Sequence, residues 1–289
     1  MEELNQEEIR KIVREKYSKI AEQSSSCCNG TVSRFIPCCG TASSTVADVS
    51  KSLGYSDEEL STVPEGANLG LGCGNPVALA SLKKGETVLD LGSGAGFDSF
   101  LAAAKVGAKG KVIGIDMTAE MLERARENVR KGGYTNIEFR LGEIENLPVA
   151  DNSIDAIISN CVINLASNKQ RVFDEAFRVL KPGGRLMVTD IVTTKELPSF
   201  IKNSIDAYAG CIAGAMNKSA YLKAIRKSGF KAVRVIEESA FPVDLDSVMI
   251  DILSNNSDGG IELIEKQISD IPRSIASIKV RGLKPKLAK

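Results

Sequence analysis

Val88-Leu89-Asp90-Leu91-Gly92-Ser93-Gly94-Ala95-Gly96-Phe97-Asp98 is the stretch that decides the fold. A short apolar run enters a glycine-rich turn and leaves it as a helix. That is the first βα unit of an open sheet, with a turn whose glycines let a ligand approach the backbone. The spacing is G-x-G-x-G, and Phe97 stands where a dinucleotide fingerprint requires glycine, so a nicotinamide reading is disfavoured. No Gly-Lys-Ser/Thr follows, which excludes a phosphate-binding P-loop.

Working outward, further strands are expected at Thr87–Leu91, Lys111–Ile115, Ile137–Leu141, Ile154–Asn160 and Arg185–Ile191. Helical patterns lie between them, clearest from Ala119 to Lys131, where Glu120–Arg124 and Glu127–Lys131 are spaced four apart. Short apolar strands alternating with helices make parallel βαβ units covered on both faces, a doubly wound α/β sheet. After Ile191 the alternation lapses into a helical insertion at 195–228, and strands at Ala232–Glu238 and Ile275–Val280 complete a mostly parallel seven-stranded sheet.

Upstream, Ile9, Ile12, Val13, Tyr17 and Ile20 recur at helical spacing. A short helix is expected over Thr45–Leu53, and Ser56-Asp57-Glu58-Glu59 starts another. The expected division is an N-terminal extension at 1–75, with vicinal cysteines and a glycine-rich loop, and a cofactor-binding domain at 76–289.

Composition narrows the chemistry. Lys plus Arg and Asp plus Glu both number 37, so no global field draws nucleic acid or anionic lipid. There is no histidine, which removes every Ser-His-Asp or Cys-His pair and every imidazole metal site. The acidic N-terminus has no signal-peptide character and no apolar run reaches bilayer length. A cytoplasmic protein without membrane or nucleic-acid partners is expected, its seven cysteines reduced.

Asp116 ends the second apolar strand, twenty residues after Gly96, where a carboxylate suits two vicinal ribose hydroxyls. Met117 follows, placed to lie against an adenine ring. A third strand ends at Leu141-Gly142-Glu143-Ile144.

This constellation resembles the class I S-adenosylmethionine-dependent methyltransferases, a Rossmann-like fold. The match runs from about Thr87 to Ile191 and includes the helix-to-strand turn Arg178-Val179-Leu180-Lys181-Pro182-Gly183-Gly184-Arg185. The resemblance implies a cofactor, S-adenosylmethionine, held through Asp90, Gly92, Ser93, Gly94 and Gly96. Asp90 and Gly92 would face its methionine end, Asp116 its ribose, and Met117, Glu143 and Ile144 its adenine. Asn160, ending the fourth strand, would lie near its methyl group.

The acceptor is read from cysteines. Cys161 follows a strand's carboxyl end, Cys73 sits in the loop Leu69-Gly70-Leu71-Gly72-Cys73-Gly74-Asn75-Pro76, and Cys211 lies among Gly and Ala. Each could be a small buried hydrophobe. Brought together beside a methyl donor, three thiols would select a soft element. Trivalent arsenic fits, because it takes three thiolates and keeps a lone pair for an electrophilic methyl.

All three cysteine contexts, Leu-Gly-Cys-Gly-Asn-Pro, Ser-Asn-Cys-Val-Ile-Asn-Leu and Gly-Cys-Ile-Ala-Gly-Ala, resemble those of arsenite methyltransferases, from about Val13 to Pro285. The resemblance implies arsenite or its thiol conjugates as substrate, with a small-molecule or protein thiol as reductant. Two rivals stay open: methylation of a small organic acceptor, and a thiol-based metalloid-binding protein.

The vicinal pairs Cys27-Cys28 and Cys38-Cys39 could bind zinc, collect arsenic, relay electrons or be plain surface thiols, though C-x-x-C spacing is absent. Gly282-Leu283-Lys284-Pro285-Lys286 closes the chain without the cysteine-bearing tail of some relatives, so no C-terminal thiol relay is expected.

Overall fold

The computed structural model describes residues 6–22, 46–202, 204–241, 271 and 273–286. The vicinal cysteines fall outside the described residues. Seven strands form one sheet in the order β3-β2-β1-β4-β5-β7-β6. They are β1 (Thr87–Leu91), β2 (Lys111–Asp116), β3 (Ile137–Leu141), β4 (Ile154–Asn160), β5 (Leu180–Thr193), β6 (Lys231–Ala240) and β7 (Ile275–Leu283). β3, β2, β1, β4 and β5 are parallel, and β7 inserts antiparallel between β5 and β6. The order reverses at β1 and β4, which opens a crevice at their carboxyl ends.

The sequence explains the core. Val88, Leu89 and Leu91 of β1 are buried on both faces of the sheet. Helix α5 (Phe97–Val106) and helix α6 (Ala119–Gly132) cover it on the β1–β3 side, α6 through Met121, Leu122 and Ala125. Gly133 ends α6 in the left-handed conformation, φ 65°, the usual helix stop. Helix α7 (Lys169–Val179) buries Val172, Phe173, Ala176 and Val179, which recur at helical spacing.

The Lys181-Pro182-Gly183-Gly184 turn differs from expectation. The chain enters β5 at Leu180, and the β4–β5 register shifts between Ile154 and Ala156, so these residues form an irregular strand start. Beyond them Arg185 is buried. Its guanidinium grips Glu86 at 2.6 and 2.8 Å and donates to the Ala80 and Ser81 carbonyls.

Upstream of the sheet lie α1 (Gln6–Glu22), α2 (Val46–Ser52), α3 (Asp57–Thr62) and α4 (Pro76–Leu79). Ser56 starts α3 with the expected capping box: its hydroxyl accepts from the Glu59 N–H, and Glu59 accepts from the Ser56 N–H, both at 3.1 Å. Asn75 caps α4 and also donates to Glu59 Oε2 at 3.1 Å, tying the end of the glycine-rich loop to α3. The insertion holds α8 (Ser199–Lys202), α9 (Ile205–Ala209) and α10 (Lys218–Lys227).

Helix α1 crosses the carboxyl ends of the strands. Its Val13 is fully buried among Cys73, Cys161 and Cys211, a contribution of about 1.5–3 kcal/mol. Ser18 donates to Glu120 at 2.7 Å, and Arg124 donates to the Ala21 carbonyl at 3.0 Å.

Candidate active site

One cleft runs across the carboxyl ends of β1, β2 and β4, enclosing about 1160 Å³ when the part open to solvent is counted. Asp90, Gly92, Ser93 and Gly94 form one wall, Asp116 and Met117 the next, and Ile144 the far end. Arg10, Val13 and Tyr17 of α1 complete it.

The glycine turn has the required backbone. Gly92 and Gly94 have φ of 66° and 50°, a region that L side chains rarely enter. A Cβ on Gly92 would lie 2.3 Å from Val162 Cγ2, so the turn must stay bare there. The Ser93 hydroxyl is buried with no partner in the protein, an orphan on the cleft wall. Asp116 receives the Gly94 N–H on one oxygen and the Thr118 N–H on the other, each at 2.9 Å. Each oxygen retains a further lone pair for a hydroxyl.

The floor is acidic. Asp90 accepts from Ser99 Oγ at 2.6 Å, and Asp98 accepts from Tyr55 and Asn160 at 2.8 and 2.9 Å. Among the described residues no Lys or Arg pairs with either. Burial pushes both carboxyls up, Asp98 to about 6 and Asp90 well above the usual aspartate range. An acidic, dry floor with an orphan hydroxyl and a ribose-type acceptor fits a nucleoside that carries a positive charge.

Three of the expected cofactor residues sit differently. Gly96 lies off the cleft: a Cβ there would meet Phe100 and Phe139 at 2.8 Å, so its role is to let α5 pack on the sheet. Glu143 is also absent from the walls. Its carboxylate faces Arg10 and Arg14 of α1 at 3.9 Å, and Gly142, Ile144 and Glu145 line that end instead. Asn160 lines the cleft, but its amide is committed to the chain, binding Cys73 N–H, the Gly74 carbonyl and Asp98.

Cys73, Cys161 and Cys211 are all free, buried and together. The Cys73 and Cys161 sulfurs and an Asp190 carboxylate oxygen lie within 4.8 Å of one another. The Cys211 thiol donates to the Cys161 carbonyl at 2.9 Å. Cys161 and Cys211 also line the cleft, which makes one connected site of cofactor wall and thiol cluster. Both have left-handed backbones, φ 57° and 64°, unusual for non-glycine residues and typical of functional positions.

All three thiols titrate above the ordinary range. Burial raises Cys73; the Cys211 contact favours the Cys161 thiolate, but Cys73 and burial outweigh it; the Cys161 contact and burial raise Cys211. The cluster therefore favours S–H groups over mutually repelling thiolates. Sequence reading missed Asp190, whose carboxyl burial pushes up to about 7 although Ile191 N–H and Tyr221 OH donate to it. It missed Tyr55 too, because nothing in Leu53-Gly54-Tyr55-Ser56 signals a partner nineteen residues away.

Comparison with known proteins agrees with this geometry. A family model described as a methyltransferase domain matches residues 82–239. An arsenite methyltransferase of Halobacterium salinarum is 49% identical over 83% of this chain, and one of Aquipseudomonas alcaligenes is 38% identical over 64%. The aligned part spans 63% and 54% of the length of those two proteins. A crystal structure of an arsenic(III) S-adenosylmethionine methyltransferase from Chlamydomonas reinhardtii superposes with a TM-score of 0.58 at 31% identity, covering 82% of this chain and 73% of that one. With the domain model spanning more than half of its residues, this chain belongs to the methyltransferase-domain family and, within it, to the arsenic(III) methyltransferases.

Proposed function

We propose that this chain transfers methyl groups from S-adenosylmethionine to trivalent arsenic held by Cys73, Cys161 and Cys211. The observation that carries the reading is the meeting of three free, buried thiols, two of them on the wall of a cleft built for a cationic nucleoside. The named activity of the two curated relatives and of the solved structure supports it.

The protein's part is binding and orientation. Asp116 accepts the ribose hydroxyls, Ser93 supplies the free hydroxyl, and Asp90 with Asp98 faces the charged methionine end. S-adenosylmethionine supplies an electrophilic methyl group on a sulfonium sulfur. The three thiols exchange their protons for arsenic: arsenous acid loses its three hydroxyls as water, each taking one thiol proton, so no external base is needed. Soft sulfur ligands select arsenic over hard ions and leave its lone pair free. Since Cys161 and Cys211 line both parts of the site, catalysis is mostly proximity. No described helix is long and apolar enough to cross a membrane. The thiols require a reducing compartment, the cytoplasm, with a small-molecule or protein thiol as reductant.

Methyl transfer from labelled S-adenosylmethionine to arsenite, with a thiol reductant present, tests the reading. Labelled methylarsenic products are expected. A folded protein that binds the cofactor and yields none overturns it.

A further inference from the structure

The Cys73 thiol sits in a loop that has no reason to hold it still. Leu69-Gly70-Leu71-Gly72-Cys73-Gly74 is rich in glycine, the residue that loses most freedom on ordering, and Gly70 and Gly72 have φ of 67° and 127°. The place of the sulfur is therefore imposed by what grips the loop. Four groups do so. Asn160 Oδ1 receives the Cys73 N–H at 3.0 Å, and Ser277 Oγ donates to the Cys73 carbonyl at 2.8 Å. The Gly74 carbonyl is met by Asn160 Nδ2 at 2.8 Å and by Tyr55 OH at 2.9 Å. Tyr55 OH and Asn160 Nδ2 also reach the two oxygens of Asp98, at 2.8 and 2.9 Å.

Counting hydrogens separates holders from bystanders. Tyr55 offers one and the Asn160 amide two. With Asp98 ionised, the Tyr55 hydrogen serves Asp98 Oδ1, one Asn160 hydrogen serves Asp98 Oδ2, and the other serves the Gly74 carbonyl. Every buried acceptor is then satisfied once. Without the Tyr55 hydroxyl, Asp98 Oδ1 competes for the remaining Asn160 hydrogen, and the amide that orients the Cys73–Gly74 peptide is drawn away from it. A buried carboxylate wins such a contest over a neutral carbonyl.

We propose that Tyr55 and Ser277 are positioning residues that set the Cys73 thiol against Cys161, Tyr55 through Asn160 and Ser277 directly. This rests on the reading of Cys73 as an arsenic ligand, but the arrangement itself makes no use of arsenic. Tyr55 touches no sulfur in the bonds described, whereas Ser277 also hydrogen-bonds the Cys73 thiol itself, and neither side chain has a polar task outside this cluster. The Tyr55 ring packs edge-on against Phe97 at 4.8 Å, so Tyr55→Phe keeps the packing and deletes only the hydroxyl.

The test is the alkylation rate of each cysteine by iodoacetamide, followed by mass spectrometry on the full chain without arsenic. Tyr55→Phe should speed modification of Cys73 by about tenfold, the size of one lost hydrogen bond, and leave Cys161 and Cys211 within about twofold. Ser277→Ala should do the same from the other side of the peptide, and stands in should the first variant fail to fold. In turnover, both variants should raise the KM for arsenite by about tenfold, with that for S-adenosylmethionine within about twofold. Unchanged Cys73 reactivity, or an equal rise at all three cysteines, overturns the proposal. A parent protein inert toward arsenite whose variants still expose Cys73 alone would sink the arsenic reading and leave the positioning roles standing.

Discussion

Cofactor affinity should fall as the pH is lowered through 6, and the structure sets the size of the effect. Asp98 lines the cleft, and burial raises its carboxyl to about 6; the Asn160 and Tyr55 donors oppose that rise and the charge of Glu59 adds to it. Asp90 lies beside it and is also pushed well above the usual aspartate range, by burial and by Asp98. Two adjoining carboxyls in a dry pocket oppose each other's ionisation, and of this pair Asp98, at about 6, is the one that titrates within this range. S-adenosylmethionine brings a net positive charge that favours ionised Asp98. Above pH 6 the ligand finds the carboxylate ready; below it, binding must first release a proton. Linkage then weakens affinity by a factor of 1 + 10^(6 − pH), about fourfold at pH 5.5 and about elevenfold at pH 5. Calorimetry between about pH 5 and 7.5 reads this, with S-adenosylhomocysteine, which keeps the ammonium, showing the same slope and uncharged adenosine none. Affinity for S-adenosylmethionine that stays flat over that range in folded protein, or an equal slope for adenosine, refutes the reasoning.

Stability without ligand should run the opposite way. Asp98 has a folded pKa above its unfolded value, so its stabilising contribution is complete at low pH and is lost as pH rises from about 4 to 6, on the order of 2–3 kcal/mol; denaturant titrations of Asp98→Asn should lack that trend. Asp116→Ala should weaken S-adenosylmethionine binding by roughly 1–3 kcal/mol, because Gly94 and Thr118 N–H groups and the ribose all lose their acceptor; calorimetry checks it. Gly92→Ala forces a Cβ against Val162 at 2.3 Å and a left-handed backbone on alanine, so cofactor affinity should drop by about tenfold or more. Cys161→Ser should lose arsenite methylation and keep cofactor binding, since serine offers a hard hydroxyl in place of a soft sulfur; labelled methyl transfer beside calorimetry separates the two effects.

What could be read in the sequence was what local pattern encodes. The β1–Gly92 turn, the Asp116 strand end, the capping box at Ser56 and the seven strands each follow from residues a few places apart, so spacing revealed them. The cysteines were legible one by one, through their neighbours and their resemblance to family motifs. Their meeting was not, because it depends on pairing of β4 with β5 and on a loop held by β7 through Ser277. Glu143 and Glu145 show the same limit: both flank Ile144 and both face Arg10 of α1, yet only Glu145 lines the cleft. Asp190 carries no local signal inside its strand, and burial against the thiols makes it part of the site. Gly96 fell into the glycine motif by spacing, yet aromatic packing behind the turn is what demands it.

The central claim is that three sulfurs hold one arsenic atom. X-ray absorption at the arsenic edge, on protein loaded with one equivalent of arsenite, measures it without turnover. The account predicts three sulfur neighbours and no oxygen, with one sulfur lost in each of Cys73→Ser, Cys161→Ser and Cys211→Ser. An arsenic shell made of oxygen, or a sulfur shell that none of the three substitutions alters, would contradict it.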